Sequence, residues 1–145
     1  MKAFRFRLDR VLDWRRTEME MEETRLKQLR TAAAELDREK ALVESTRDEA
    51  GRAVLARGNV DGSELQLLSS YNTAVKLVCA RLDEKRRAAE KAAQAQQQKL
   101  LEARRRLRLL ENLKDRRLAE WKYETERQME ADAPPAGKRP LSCLS

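Results

Sequence analysis

Apolar residues recur along this chain at alternating steps of four and three. From Leu8 the series runs through Leu12, Arg15, Met19, Glu22, Leu26, Leu29, Ala33, Leu36, Lys40, Val43, Arg47, Ala50 and Val54. Most of these positions are apolar, and the sequence between them is charged. A repeat of about 3.5 residues marks the inward face of a coiled-coil helix. Arg15, Glu22, Lys40 and Arg47 interrupt that face. Polar breaks of this kind weaken a coiled coil but can fix its register. The pattern predicts a first helix over about 4–56.

The stretch "ARGNVDGSELQ", Ala56 to Gln66, then gathers Gly58, Asn59, Asp61 and Gly62, and a turn is predicted over about 57–62. Ser63 followed by Gln66 reads as a capping box, with Asp61 a competing cap. A second series starts at Leu65 and continues through Leu68, Asn72, Val75, Cys79, Leu82, Arg86, Ala89, Ala93, Gln96, Leu100, Ala103, Leu107 and Leu110. It then drifts to Leu113, Leu118 and Trp121, so a second helix is predicted over about 63–131. The middle of this helix, "RRAAEKAAQAQQQ", offers alanine and glutamine where a seam wants leucine. Close helix approach and lower local stability are expected there. The prolines and glycine of "APPAGKRPLSCLS" predict a disordered tail over 132–145.

Two long helices joined by a short turn pack antiparallel. Centring the turn near Asn59 and Val60 pairs residues whose numbers sum to about 120, give or take a turn, which sets Leu12 near Arg108 and Leu26 near Gln94. The first helix would be about 75 Å long, and the last turns of the second would overhang the N-terminus. The predicted fold class is all-α, a long antiparallel two-helix coiled coil.

Composition supports this reading. Of 145 residues 39% are charged, only four are glycine and three proline, and isoleucine is absent. Arg, Glu, Ala, Leu, Lys and Gln dominate, and they lose little rotamer freedom in a helix. Strand-favouring residues are too scarce for a sheet. The few large apolar groups cannot fill a globular core of this length, but they can fill a narrow seam. No apolar run approaches the roughly 18 residues of a membrane span. No signal peptide is visible, and a cytoplasmic chain is expected.

Histidine is absent, which removes the commonest general base and the commonest metal ligand. No phosphate loop or metal-ligand spacing is visible either, and a two-helix coil offers no pocket in which catalytic groups converge. No enzyme, no cofactor and no small-molecule substrate are therefore expected. Cys79 falls on the seam and reads as a small hydrophobe; Cys143 lies in the tail with no partner thiol evident.

The formal charge of +7 favours acidic partners. Only 4% of the chain is aromatic, yet "FRFRLDRVLDWRR" holds Phe4, Phe6 and Trp14 among arginines. An antiparallel fold brings Trp121 and Tyr123 back to them, so five of six rings gather at one end and only Tyr71 lies elsewhere. Arg5, Arg7, Arg10, Arg15 and Arg16 meet Arg104, Arg105, Arg106, Arg108, Arg116 and Arg117 there. Rings among arginines are the composition of an interaction hot spot. The plainer alternative is that the rings seal a frayed end and the arginines are solvated.

The opening stretch, with Phe4, Phe6, Leu8, Val11, Leu12 and Arg15, resembles the N-terminus of the FliJ family, small helical-hairpin components of the flagellar type III export apparatus. The segment "LLENLKDRRLAEWKYETERQMEADAP" resembles that family's C-terminal part through Glu111, Leu113, Lys114, Arg117, Glu120, Tyr123, Glu124 and Glu130. The tail departs from the family by lacking an acidic finish. The resemblance implies a stalk-like protein similar to the stalk subunit of rotary ATPases. It implies binding to the hexameric flagellar export ATPase through Phe4, Phe6, Leu8, Arg15, Arg117, Trp121 and Tyr123. It further implies contact with the cytoplasmic domain of the membrane export gate, for which Val43, Tyr71 and Val75 are candidates, and the escort of export chaperones. Such a chain would associate peripherally with the inner membrane through the export apparatus. The equivalent stalk of a virulence-type secretion system fits the same residues.

Three readings compete. "RRRLR", Arg104 to Arg108, and "KRR", Lys85 to Arg87, would hold nucleic-acid phosphates, with steep salt dependence. Against this, a basic zipper needs a parallel dimer, whereas the turn predicts an antiparallel pair within one chain. Phe4, Leu8, Val11 and Leu12 share a face that would suit a membrane surface, but the same stripe continues in phase to Val54 and suits packing on the second helix. A homodimeric coil would need the helix to run on through Gly58 to Gly62.

Overall fold

A computed structural model describes residues 2–133. Among them there is no strand, and two helices account for the fold: α1, Asp9–Ala56, and α2, Gly62–Asp132. The two long helices pack against each other and run antiparallel, with cross-helix partners from Asp9 with Lys114 through Arg16 with Glu111 and Glu22 with Gln96 to Asp37 with Arg86 and Lys40 with Asp83. Partner numbers add to between 118 and 127, three of the five pairs to 123, so the register lies within about a turn of the expected 120 except for Arg16 with Glu111, which is about two turns from it. Cys143 and the tail expected over 132–145 fall outside the described residues, apart from Asp132 and Ala133.

The seam is the one the apolar period predicts. All fourteen positions read from Leu8 to Val54 are buried or half-buried, and so are all those from Leu68 to Leu110. Leu65 is the exception. It is exposed, and Glu64 turns inward in its place. Stepping back four residues from Leu68 follows the straight 3.6-residue helix and reaches Glu64, which pairs with Arg57 across the turn at 3.4 Å.

At the turn, α1 ends at Ala56, and Gly58 adopts a φ of 74°, the left-handed conformation that terminates helices and that glycine reaches without Cβ strain. Asp61, not Ser63, opens α2. The Asp61 carbonyl accepts the Leu65 N–H at 3.1 Å, and Ser63 is already inside the helix, donating its hydroxyl to Asp61 Oδ2. The capping-box reading of Ser63 and Gln66 is thereby corrected. An acidic residue at this position also suits the positive end of the helix dipole.

The chain divides into two compact units. Unit 2, residues 18–103, holds the turn and a core in which Leu26, Ala93 and Leu100 cluster with Met19 and Leu29 packed on them. Where the sequence offers alanine and glutamine, Gln96 is buried and donates its amide N–H to the Glu22 backbone carbonyl at 3.1 Å and to the Glu22 carboxylate. A buried amide held by the facing backbone specifies register, because any slip leaves it unpartnered.

Unit 1 comprises residues 2–17 and 104–133 of the described chain. Phe6, Leu12 and Leu107 are its buried apolar residues, and Leu12, 1% exposed, is the most completely enclosed side chain. Here the first helix starts later than expected, at Asp9 rather than near residue 4. Residues 2–6 are not helical; the Asp9 N–H reaches the Phe6 carbonyl at 3.2 Å, and the Leu8 carbonyl takes the first helical bond from Leu12. Burial alternates through this strap: Phe4 half-buried, Arg5 exposed, Phe6 buried, Arg7 exposed, Leu8 half-buried. A period of two is the signature of an extended chain, and it hides three apolar side chains that a helix would spread around its axis.

Candidate partner-binding site in unit 1

The strap and α2 enclose an open groove of about 1200 Å³. Its walls come from residues 2–8 on one side and from Leu113, Arg117, Glu120, Trp121 and Glu124 on the other. Those α2 residues recur at helical spacing, so one face of α2 forms the floor. The Phe4 ring packs on Trp121 with centroids 5.9 Å apart and planes tilted by 52°. A tilted pair sets the positive edge of one ring toward the negative face of the other and is worth about 0.5–1.5 kcal/mol beyond burial. Phe6 is buried beneath the strap and anchors it.

The groove carries Lys2, Arg5, Arg7 and Arg117 against Glu120 and Glu124. Arg117 approaches Glu120 at 3.7 Å, but both side chains are more than half exposed. Water screens such a pair, so it leaves the guanidinium free to exchange partners. Apolar walls with a surplus of cations suit a partner that brings an apolar side chain beside a carboxylate or another anion.

Of the seven residues that the resemblance implies for ATPase binding, the structure gathers five. Phe4, Phe6, Leu8, Arg117 and Trp121 all line the groove, while Arg15 and Tyr123 do not. Arg15 is half-buried on the seam, with its guanidinium 4.6 Å from the centre of the Trp14 ring. Tyr123 is exposed and lies 5.9 Å from the Arg127 guanidinium. Leu113, Glu120 and Glu124 line the groove beside them, which their spacing from Arg117 and Trp121 would have revealed once the strap was read as extended.

The three residues considered for the export gate lie in unit 2. Val75 is 4% exposed and has little surface to offer, Val43 is half-buried, and Tyr71 stands exposed. Tyr71 borders an apolar hollow with Val54, Leu67 and Leu68. Cys79 is half-buried at its seam position. Among the described residues no group of three or more His, Cys, Asp or Glu side chains is placed to hold a metal ion, and no helix is long and apolar enough to cross a membrane.

No family model matches the chain, and neither a curated protein nor a solved structure matches it.

Proposed function

We propose that this chain is a non-catalytic, stalk-like component of a flagellar type III protein export apparatus, as its resemblance to the FliJ family implies. Unit 1 is the part that binds the hexameric export ATPase. One observation carries this reading: the two stretches bearing the resemblance lie at opposite ends of the sequence, yet Phe4 packs on Trp121 and Leu8 shares a groove with Arg117. A resemblance confined to coiled-coil composition would not single out residues that build one site.

On this reading the groove takes an apolar, acid-bearing element of the ring. A stiff coil held off-centre among ring subunits biases them unequally and couples the nucleotide cycle to transport. The cytoplasmic domain of the export gate is a second partner, and Tyr71 is the candidate with surface to meet it. Export chaperones are further partners, and the chain works at the cytoplasmic face of the inner membrane.

The test is a pull-down against the purified hexameric ATPase with Arg7→Glu and Arg117→Glu combined. Both side chains are exposed on the groove and neither is on the seam. Binding weaker by at least about tenfold is expected, the loss typical of an interface hot spot, with helical circular dichroism unchanged. Undiminished capture of the ring by this variant would overturn the assignment.

A further inference from the structure

Unit 2 carries a second stripe beside its seam. On α2, Tyr71, Val78, Lys85 and Ala92 each stand one place before a seam residue, and all four are exposed. Leu67, Ala74, Arg81 and Ala88 alternate with them at steps of three and four, the period that suits a further helix contact. On α1 the matching places are Ala32, Glu39, Thr46 and Ala53, with Glu35, Leu42 and Glu49 between them, again exposed throughout. The opposite flank follows the seam residues by one place. It holds Asp37, paired with Arg86, and Asp83, paired with Lys40, and Asp37 and Glu90 line one hollow there. Those two sides adjoin, so the two exposed stripes adjoin as well. Leu42 and Leu67 are 67% and 74% exposed, so packing within one chain leaves them unused.

The two stripes differ in charge. The charges on the α1 stripe are all acidic, Glu35, Glu39 and Glu49, and those on the α2 stripe are both basic, Arg81 and Lys85. Arg38, Arg52 and Glu84 point directly away from the seam, outside both stripes. Cross-helix partners in unit 2 set the heights: Lys40 lies level with Asp83 and Asp37 with Arg86. A two-fold axis along the helices keeps every residue at its height and lays the α1 stripe of one copy on the α2 stripe of the other. Tyr71 then faces Ala53, Val78 faces Thr46, Lys85 faces Glu39 and Ala92 faces Ala32. Large meets small and cation meets acid, while the Arg81 stem covers Leu42. An axis across the helices would instead set acids on acids. One layer further from the turn, Arg25 and Lys99 would bring four cations together, which ends the contact.

We propose that this flank is a self-association surface on which two copies pack as a four-helix bundle, every neighbouring helix antiparallel. Unit 2 carries 15 basic and 16 acidic residues, so its net charge does not oppose the contact. Each copy keeps its own turn, unlike a homodimeric coil whose helix runs on through Gly58 to Gly62. The inference does not rest on the export reading. A gate contact through Tyr71 would compete with it, and neither gate nor ATPase enters its test.

The experiment is sedimentation velocity of the full chain over a concentration series at physiological salt. Dimers are expected by about 0.1 mM. Tyr71→Ala should weaken association by at least about tenfold at unchanged helical circular dichroism, as loss of an interface ring does. Glu39→Lys alone or Lys85→Glu alone should weaken it about tenfold too, since each sets like charges together twice. A mixture of those two variants should regain dimers, because each changed residue then meets its opposite charge. Lys76→Glu, on the ion-paired flank, should change association by less than about threefold. Spin labels on Asn59→Cys, with Cys79→Ala and Cys143→Ala, should lie within about 30 Å of each other in the dimer, since the two turns sit side by side. A chain still monomeric at about 0.1 mM would leave the flank to a different partner and overturn the proposal. Undiminished association of Tyr71→Ala, a mixture that fails to regain dimers, an equal loss from Lys76→Glu, or labels far apart would overturn it as well.

Discussion

The two units are built from the same pair of helices but use their charges differently. Unit 2 balances 15 lysines and arginines with 16 acidic residues and holds one aromatic ring, whereas residues 2–17 and 104–133 set 15 basic residues against 9 acidic ones and hold five rings. In unit 2 the charges close on one another across the seam: Lys40 meets Asp83 at 2.8 Å, and the Arg86 guanidinium reaches both Asp37 oxygens at 3.0 and 3.1 Å. In unit 1 some also pair, as Asp9 does with Lys114, but cations outnumber the acids available. The first arrangement fixes how two helices meet, and the second leaves positive charge and ring surface for something else. The surplus in unit 1 is what makes it the site to test.

The packing contrast should appear first in stability, with the largest effect. Leu12 is enclosed almost completely, while Leu26 packs on alanine at position 93 and on Leu100. Leu12→Ala should cost about 2–5 kcal/mol, because a well-enclosed leucine leaves a cavity its surroundings cannot fill. Leu26→Ala should fall at the low end of that range, since an alanine-lined stretch lets the helices close in. Urea unfolding followed by circular dichroism measures both. Equal losses would mean that the two seams are packed alike.

The helices and the seam are legible in the apolar period because a two-helix coil has one interior stripe per helix and little else to decide. What the period concealed is short and local. Phe4, Phe6 and Leu8 lie ahead of a strong heptad stripe, and reading the stripe outward absorbed them into α1, although "FRFRL" alternates apolar and charged residues. With that alternation recognised, the strap and the α2 residues beneath it follow. Leu65 misled for a different reason: at the first turn of a helix the supercoil gives way to the straight period, and an ion pair to Arg57 draws Glu64 inward. The aromatic gathering was readable from topology alone, but the division of those rings was not. Trp121 joins the groove and Trp14 stands outside it, and only the side of the helix on which each falls decides that.

Gln96 separates stability from specificity in unit 2. Gln96→Leu combined with Glu22→Leu removes the buried amide together with the carboxylate it bonds, and stability should rise by about 1–2 kcal/mol, as when both members of a buried polar pair are replaced by well-packed apolar groups. The register should loosen at the same time, since the bond to the Glu22 carbonyl is lost. Thermal unfolding reads the first effect, and self-association by light scattering the second. A variant that is less stable and associates no more than the native chain would show that Gln96 contributes as an ordinary hydrogen bond.

A smaller change should be confined to unit 1. Phe4→Ala removes the ring pair with Trp121 and should cost about 0.5–1.5 kcal/mol beyond the lost burial. Because residues 2–6 make no helical turn, the loss should free the strap and leave both helices in place. Trypsin should then cut after Arg5 and Arg7 faster in the variant, at unchanged helical circular dichroism. An unchanged cleavage rate would mean that Phe6 alone anchors the strap.

The smallest effect belongs to the paired charges of unit 2, and pH gives its sign. The hydrogen bond to Asp83, more than any other cause, raises the Lys40 pKa above the ordinary lysine value. A group whose pKa is raised on folding stabilises the fold fully below its unfolded pKa and ceases to do so as pH climbs through the folded one. Lys40→Met should therefore lower the melting temperature slightly and by a constant amount from about pH 6 to pH 9, and the difference should fade only in stronger alkali. Because the pair is only half-buried and water still reaches it, high salt should weaken it as well. A difference that persisted in concentrated salt would show that the Lys40 stem, through its packing on the seam, matters more than its charge, and the contrast between a charge-paired unit 2 and a cation-surplus unit 1 would then rest on Arg86 and Asp37 alone.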